Sequence, residues 1–214
     1  MEVKDGAFTM PADDVTVTVK FKKAEGKKTT AERPFTDVNE GDWFYDAVYF
    51  CFDKGYFKGT SETGFEPQGT MTRAMFATVL WRIAGQPAAK GGKSFSDVEA
   101  GQWYADAVAW ASENGIVNGT DAGFEPDAPV TREQIATMLY RYVKTQGKGF
   151  TGLWSFQLDF PDAGDVSDWA TEAMRWMVMQ GVINGMDGRL NPQGEATRAQ
   201  VATLVQRLAE LMEK

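Results

Sequence analysis

Histidine is absent from this chain of 214 residues, and cysteine occurs once, at position 51. Without imidazole, the His-bearing zinc sites, Ser-His-Asp triads and Cys-His dyads are excluded, which removes a large share of catalytic chemistry. A single thiol cannot close an internal disulfide. Cys51 also falls on an apolar helical face, where it reads as a small buried hydrophobe. No apolar run approaches the roughly 18 residues that a membrane-crossing helix needs. There is no basic excess either: the formal net charge is −8, and the acidic surplus lies beyond residue 34, since residues 1–34 hold seven Lys or Arg against six Asp or Glu. An acidic body without a basic stripe argues against nucleic acid as a partner. Hydrophobic residues at 43% and seven Trp nevertheless describe a chain able to bury a core.

What the chain does have is one segment written three times. Phe35-Thr36-Asp37-Val38 leads to Trp43, Gly55, Gly59, Pro67 and Thr72-Arg73. Phe95-Ser96-Asp97-Val98 leads in the same order to Trp103, Gly115, Gly119, Pro126 and Thr131-Arg132, and Phe160-Pro161-Asp162-Ala163 to Trp169, Gly181, Gly185, Pro192 and Thr197-Arg198. Repeats supply repeated surfaces, so a modular binding or assembly device comes before an enzyme, whose catalysis needs one asymmetric site.

Each copy reads as helix, loop, helix, giving a mainly α fold. Trp103, Ala107, Val108, Trp110 and Ala111 make an amphipathic stripe, matched by Trp43, Ala47, Val48, Phe50 and Cys51 and by Trp169, Ala173, Met174, Trp176 and Met177. This pattern starts the first helices near the Trp, with Asp42 and Asp168 as N-caps. Gly55, Gly115 and Gly181 fall where a left-handed C-terminal cap belongs. The second helices open at Thr72, Thr131 and Thr197 and bury Phe76, Val79, Leu80 and Ile83, then Ile135, Met138, Leu139 and Tyr142, then Val201, Leu204, Val205 and Leu208. Thr131 with Gln134 and Thr197 with Gln200 are capping boxes, worth about 1 kcal/mol each, whereas Thr72 faces Met75 and lacks one.

The domain boundaries follow. Residues 35–89, 90–145 and 146–214 are the three repeats, the last preceded by an insertion at 146–159 that carries Trp154 and Phe156 and reads as a loop packed on the surface. Residues 8–21 alternate apolar and polar like a strand, so residues 1–24 are expected to be the end of a preceding β-module and 25–34 a linker. Met1 leads into a polar segment with no secretory signal; the expectation is a C-terminal piece of a longer secreted protein.

Among residues that could carry chemistry, the arginines come first. Arg73, Arg132 and Arg198 each take the first helical position, where the macrodipole disfavours a cation by about 0.3–1 kcal/mol. Three such placements point to a compensating anion, with pairing to a local carboxylate as the alternative. Asp37, Asp97 and Asp162 order an Asx-turn, accept from a sugar hydroxyl or hold the Arg in place. Trp43, Trp103 and Trp169 are expected in the core, with stacking on a sugar face as the second reading. Gly59, Gly119 and Gly185 supply positive φ in a tight turn or let a ligand approach the backbone, and Asn118 and Asn184 beside them can donate hydrogen bonds; Lys58 stands there in the first copy. Glu133 reads as first-turn dipole complementation, and Asp121 and Asp187 as solvated turns.

Together, Phe-x-Asp-Val, Trp, the paired glycines and Thr-Arg over residues 35–209 resemble the S-layer homology domain in its usual triplet. The resemblance implies a pseudo-threefold unit around a central helical bundle. Its inter-repeat grooves would bind secondary cell wall polymer, often through a pyruvylated amino sugar, and so anchor the protein noncovalently to a Gram-positive wall. It implies no enzyme activity and no cofactor. Secondary cell wall polysaccharide is the implied partner, other surface-layer subunits are a second candidate, and self-assembly without glycan is the alternative function. The groove Arg of the family's Thr-Arg-Ala-Glu motif maps onto Arg73, Arg132 and Arg198. The copies here read Thr72-Arg73-Ala74-Met75, Thr131-Arg132-Glu133-Gln134 and Thr197-Arg198-Ala199-Gln200, so three equally competent grooves are not implied.

Overall fold

The chain divides into two units, residues 1–32 and 33–214. The computed structural model describes residues 33–213, so the expected strand at 8–21 and most of the linker lie outside the described residues. Among the described residues six α-helices follow one another: α1 (Tyr45–Asp53), α2 (Arg73–Ile83), α3 (Ala105–Glu113), α4 (Arg132–Thr145), α5 (Thr171–Met179) and α6 (Arg198–Met212). The described residues hold no named strand, only isolated β-bridges. The mainly helical reading therefore holds, at two helices per repeat.

Helix ends follow the local chemistry with one exception. Gly55, Gly115 and Gly181 have φ of 72°, 66° and 70°, the left-handed conformation that ends α1, α3 and α5 at no side-chain cost. Thr72, Thr131 and Thr197 accept from the N–H of Met75, Gln134 and Gln200, and the reciprocal Gln contacts complete capping boxes on α4 and α6 alone. The exception is the start of the first helices. They begin two residues after the Trp, at N-caps Phe44, Tyr104 and Ala170, with no side-chain cap. Asp42 instead accepts from the Asn39 N–H at 2.7 Å, and Asp168 opens a 3-10 turn, Asp168–Ala170. Both residues belong to turns that precede the helix, which displaces the Trp from the helical stripe.

The three repeats interlock cyclically. The second helix of each covers the first helix of the next: α2 packs on α3, α4 on α5, and α6 returns to α1. Ring closure rests partly on Cys51, fully buried, whose Sγ donates to the Ala202 carbonyl at 3.4 Å across the α1–α6 seam. Burial pushes that thiol's pKa up, as expected of an inert hydrophobe. At the centre, the Met71 N–H donates to Ala196, Ala196 to Val130 and Val130 to Met71, a closed triangle of backbone hydrogen bonds with one member per repeat. Immediately beyond it, the first two N–H groups of each second helix donate to carbonyls of another repeat. Arg73 and Ala74 reach Ala128 and Pro126; Arg132 and Glu133 reach Gly194 and Pro192; Arg198 and Ala199 reach Gly69 and Pro67. Donors that a lone helix leaves orphaned are thus satisfied only by the assembled triplet.

The insertion behaves as expected of a surface loop. Phe150 stacks on Trp154 at 3.6 Å and lies against Tyr140, whose hydroxyl donates to Glu172 and accepts from the Phe150 N–H.

Removing residues 146–214 should break the central triangle and bare the apolar face of α1. We expect the shortened chain to lose its cooperative thermal transition as followed by far-ultraviolet circular dichroism. A sharp, native-like melt would show that two repeats fold without the ring.

Candidate functional site

Arg73, Arg132 and Arg198 are buried, at 8%, 6% and 7% exposure, and each reaches into the following repeat of the ring. Their Nε atoms donate at 2.7 Å to the carbonyls of Phe124, Leu190 and Phe65. The same three peptides receive the aspartates. Asp97 accepts from the N–H of Phe124 and Glu125, Asp162 from Leu190 and Asn191, and Asp37 from Phe65 and Glu66. Each aspartate therefore closes its own repeat over some 28 residues and braces, through one peptide unit, the carbonyl that holds an arginine from the preceding repeat. These bonds replace the Asx-turn of the sequence reading. Hydrogen bonding from the Phe124 N–H holds the Asp97 carboxyl below its ordinary pKa; burial opposes this, while Glu125 and Arg73 add to it. For Asp162, burial pushes up, but the donors on Leu190 and Asn191 bring the net value down.

The glycines make room within the repeat. A Cβ on Gly185 would meet the Phe160 ring at 2.7 Å and the Arg189 carbonyl at 2.8 Å; Gly119 is crowded in the same way by Phe95 and Gly123. Both have the expected positive φ, at 74° and 70°. Gly59 does not, and its need for glycine is spatial, since a Cβ would meet Gly64 and Phe35 at 2.7 Å.

The tryptophans are the main correction. Trp43, Trp103 and Trp169 stand 64%, 57% and 54% exposed, so the expected core packing is wrong. Because the helices begin two residues later, the indoles project from turns and rise beside the second helix of the preceding repeat. There they meet the arginines across three grooves of about 360, 420 and 410 Å³. The first joins Arg73, Asn118-Gly119-Thr120, Gln134 and Trp169. The second joins Arg132, Asn184-Gly185-Met186, Gln200 and Trp43. The third joins Arg198, Lys58-Gly59-Thr60, Met75 and Trp103. Every groove is thus assembled from all three repeats. The aspartates of the sequence reading do not line these grooves; Asp162 borders a separate depression of repeat three.

A second arginine in each groove escaped the sequence reading: Arg141, Arg207 and Arg82, on α4, α6 and α2. Each follows the first arginine of its own helix by nine positions, a recurrence visible in the sequence, but lines a different groove from it. Their guanidinium groups donate to the carbonyls of Ile116, Val182 and Tyr56 at 3.2–3.4 Å. Burial lowers the pKa of Arg73, Arg132, Arg198, Arg82 and Arg141, yet guanidinium stays charged in proteins. Among the described residues, none of the six groove arginines has a carboxylate within ion-pair distance; the ion pairs are Arg33–Asp53, Lys54–Glu213 and Lys144–Glu172. The terminal nitrogens of Arg73 and Arg132 make no hydrogen bond among those residues, and none of them is sealed from solvent. Arg198 differs, spending one terminal N–H on the Lys58 carbonyl at 2.9 Å.

The family model for the S-layer homology domain matches residues 34–77, 94–136 and 159–202, more than half of the chain. Relatives include the S-layer protein sap of Bacillus anthracis, 31% identical over 82% of this chain and 21% of that protein. The cellulosome-anchoring protein of Acetivibrio thermocellus is 28% identical over 85% of this chain and 40% of its own length. The amylopullulanase of Thermoanaerobacterium thermosulfurigenes is 29% identical over 84% of this chain but only 10% of that protein. The chain spans well under half the length of each of these relatives.

The depressed carboxyls of Asp97 and Asp162 set a pH window. A group whose folded pKa is lowered contributes stability above its unfolded value of about 3.9 and loses it as pH falls through the folded value. Urea midpoints should therefore fall steeply below about pH 4 in the wild type. In Asp97→Asn that slope should flatten, from a lower plateau at neutral pH. An unchanged slope would remove Asp97 from the bracing role.

Proposed function

The chain belongs to the S-layer homology family, and from that premise we propose that its three grooves bind an anionic secondary cell wall polymer. S-layer homology domains anchor surface proteins to the cell wall, so such binding would fix the longer protein noncovalently outside a Gram-positive cell. The observation that carries the reading is electrostatic. Each groove holds two guanidinium groups with no carboxylate partner among the described residues, beneath one exposed indole, in a chain of net charge −8. Partly buried cations left unpaired are costly unless a ligand supplies the counter-charge. A ketal carboxylate on a terminal sugar would suit the forked donors, and the indole would cover the sugar's apolar face. The side chains of Asn118 with Gln134, and of Asn184 with Gln200, add amides able to meet hydroxyls.

The grooves are not equivalent under this reading. The Arg198 groove has Lys58 and Met75 where the others have amides, and its guanidinium is already partly engaged. It is the weakest glycan site of the three. Catalysis has no part in this reading: the module holds a wall polymer and transforms nothing.

The test is co-sedimentation with Gram-positive sacculi, with and without their secondary polymer. Polymer-dependent pelleting is expected. Trp169→Ala and Trp43→Ala should each weaken one class of site about tenfold, roughly 1.4 kcal/mol, with the melting curve unchanged because both side chains are exposed. Arg73→Ala and Arg132→Ala should weaken binding more than Arg198→Ala does. Pelleting that ignores the polymer, together with concentration-dependent oligomers, would favour self-assembly and contradict the reading.

Ionic strength supplies an independent check. The acidic body repels an anionic polymer while the groove attracts it locally, and salt screens the first more than the second. Affinity is expected to change less than about twofold between roughly 50 and 300 mM salt. A steep loss would mean that long-range attraction dominates instead.

A further inference from the structure

The Trp turns are not held alike. Glu133, the second residue of α4, is 2% exposed although it is a carboxylate. Its Oε2 accepts from the Ser167 N–H at 3.0 Å and its Oε1 from the Ser167 hydroxyl at 2.9 Å. Ser167 caps the 3-10 turn Asp168–Ala170, and its carbonyl accepts from the Ala170 N–H and the Thr171 hydroxyl. Trp169 sits inside that turn. The carboxylate therefore clamps the turn bearing Trp169 onto the helix that forms the wall of the Arg73 groove.

Neither partner of this clamp exists at the other two grooves. Ala74 and Ala199 occupy the positions equivalent to Glu133, and Gly41 and Gly101 those equivalent to Ser167. Asp42 bonds only within its own turn, to Asn39, and the Trp103 turn is held by backbone bonds of its own. Among the described residues, no hydrogen bond ties the Trp43 or Trp103 turn to the neighbouring repeat. This corrects the reading of Glu133 as a simple dipole complement: both its oxygens are engaged across a repeat boundary.

We propose that Glu133 is a positioning residue for ligand binding, clamping Trp169 through Ser167 so that the Arg73 groove is the highest-affinity site of the triplet. The inference rests on the glycan-binding function proposed above and deepens it. An indole on an unclamped turn must be ordered when a sugar stacks on it, which costs conformational entropy at the moment of binding. At Trp169 the backbone of the turn is already tied to the groove wall in the free protein, whereas, among the described residues, Trp43 and Trp103 have only the edge of the next ring, Phe44 or Tyr104, to lean on. Glu133 itself is buried and does not line the groove; its effect passes through Trp169.

A double-mutant cycle measures this. The probe is secondary polymer released from walls of a Gram-positive surface-layer bacterium, titrated calorimetrically into the intact chain. Glu133→Ala should fold normally, because the other two repeats carry alanine at that position, and should weaken the tightest site about threefold to tenfold. Glu133→Gln should lose less, since its amide oxygen still accepts from Ser167. In a Trp43→Ala background the penalty of Glu133→Ala should persist in full. In a Trp169→Ala background it should vanish to within about 1.5-fold, because non-interacting changes add and coupled ones do not. An equal penalty in the Trp169→Ala background, or no penalty at all in the wild type, would overturn the positioning role. A wild type that binds no polymer would overturn the proposed function itself, and this inference with it.

Discussion

The closed triangle of backbone hydrogen bonds between Met71, Val130 and Ala196 is the constraint on which the rest depends. Each edge joins two repeats, so no repeat can place its second helix without the other two. Around that triangle the second helices borrow carbonyl acceptors from a neighbour for their first N–H groups. A helix start would ordinarily be open to an anion. Here it is closed by protein carbonyls, and positive charge is displaced onto the arginine side chains that leave from the same turn.

That transfer explains how the grooves come to be built. Arginine at the first helical position opposes the macrodipole, and the structure offsets this by giving each Nε a carbonyl of the next repeat. The carbonyl is fixed because an aspartate grips the N–H of the same residue. Asp, peptide and Arg thus form a short relay at each repeat boundary. It leaves the ends of the Arg73 and Arg132 guanidinium groups without a protein acceptor among the described residues, lining a groove under an exposed indole supplied by the third repeat. A preorganised cation in a groove of an acidic protein is a local feature, independent of the global field, as the proposed recognition of a charged sugar requires.

The helices, their left-handed glycine caps and the two capping boxes were legible in the sequence, because each depends on residues within a turn of one another. The buried faces of α2, α4 and α6 were legible for the same reason, resting on 3.6-residue periodicity. The exposed Trp43, Trp103 and Trp169 were not. They extend the apolar stripe of the helix that follows, and only the two-residue delay in helix start, imposed by turns around Asp42 and Asp168, lifts them out of it. The aspartates were misread for a different reason: their partners lie 27–29 positions away, where no local pattern reaches. Arg82, Arg141 and Arg207 were visible as a nine-residue offset from the first arginines, but their meaning appears only when α2, α4 and α6 show which face borders the groove.

The central claim is that the exposed indoles and paired guanidinium groups of the grooves are where this molecule meets its ligand. Nuclear magnetic resonance of the indole N–H groups tests it most directly, since the seven Trp resonances report separate places. Titration with a fragment of secondary cell wall polymer should shift Trp169 and Trp43 first and Trp103 least, leaving the buried Trp110 and Trp176 unmoved. Shifts confined to Trp154 on the insertion, with the three groove resonances still, would contradict the account.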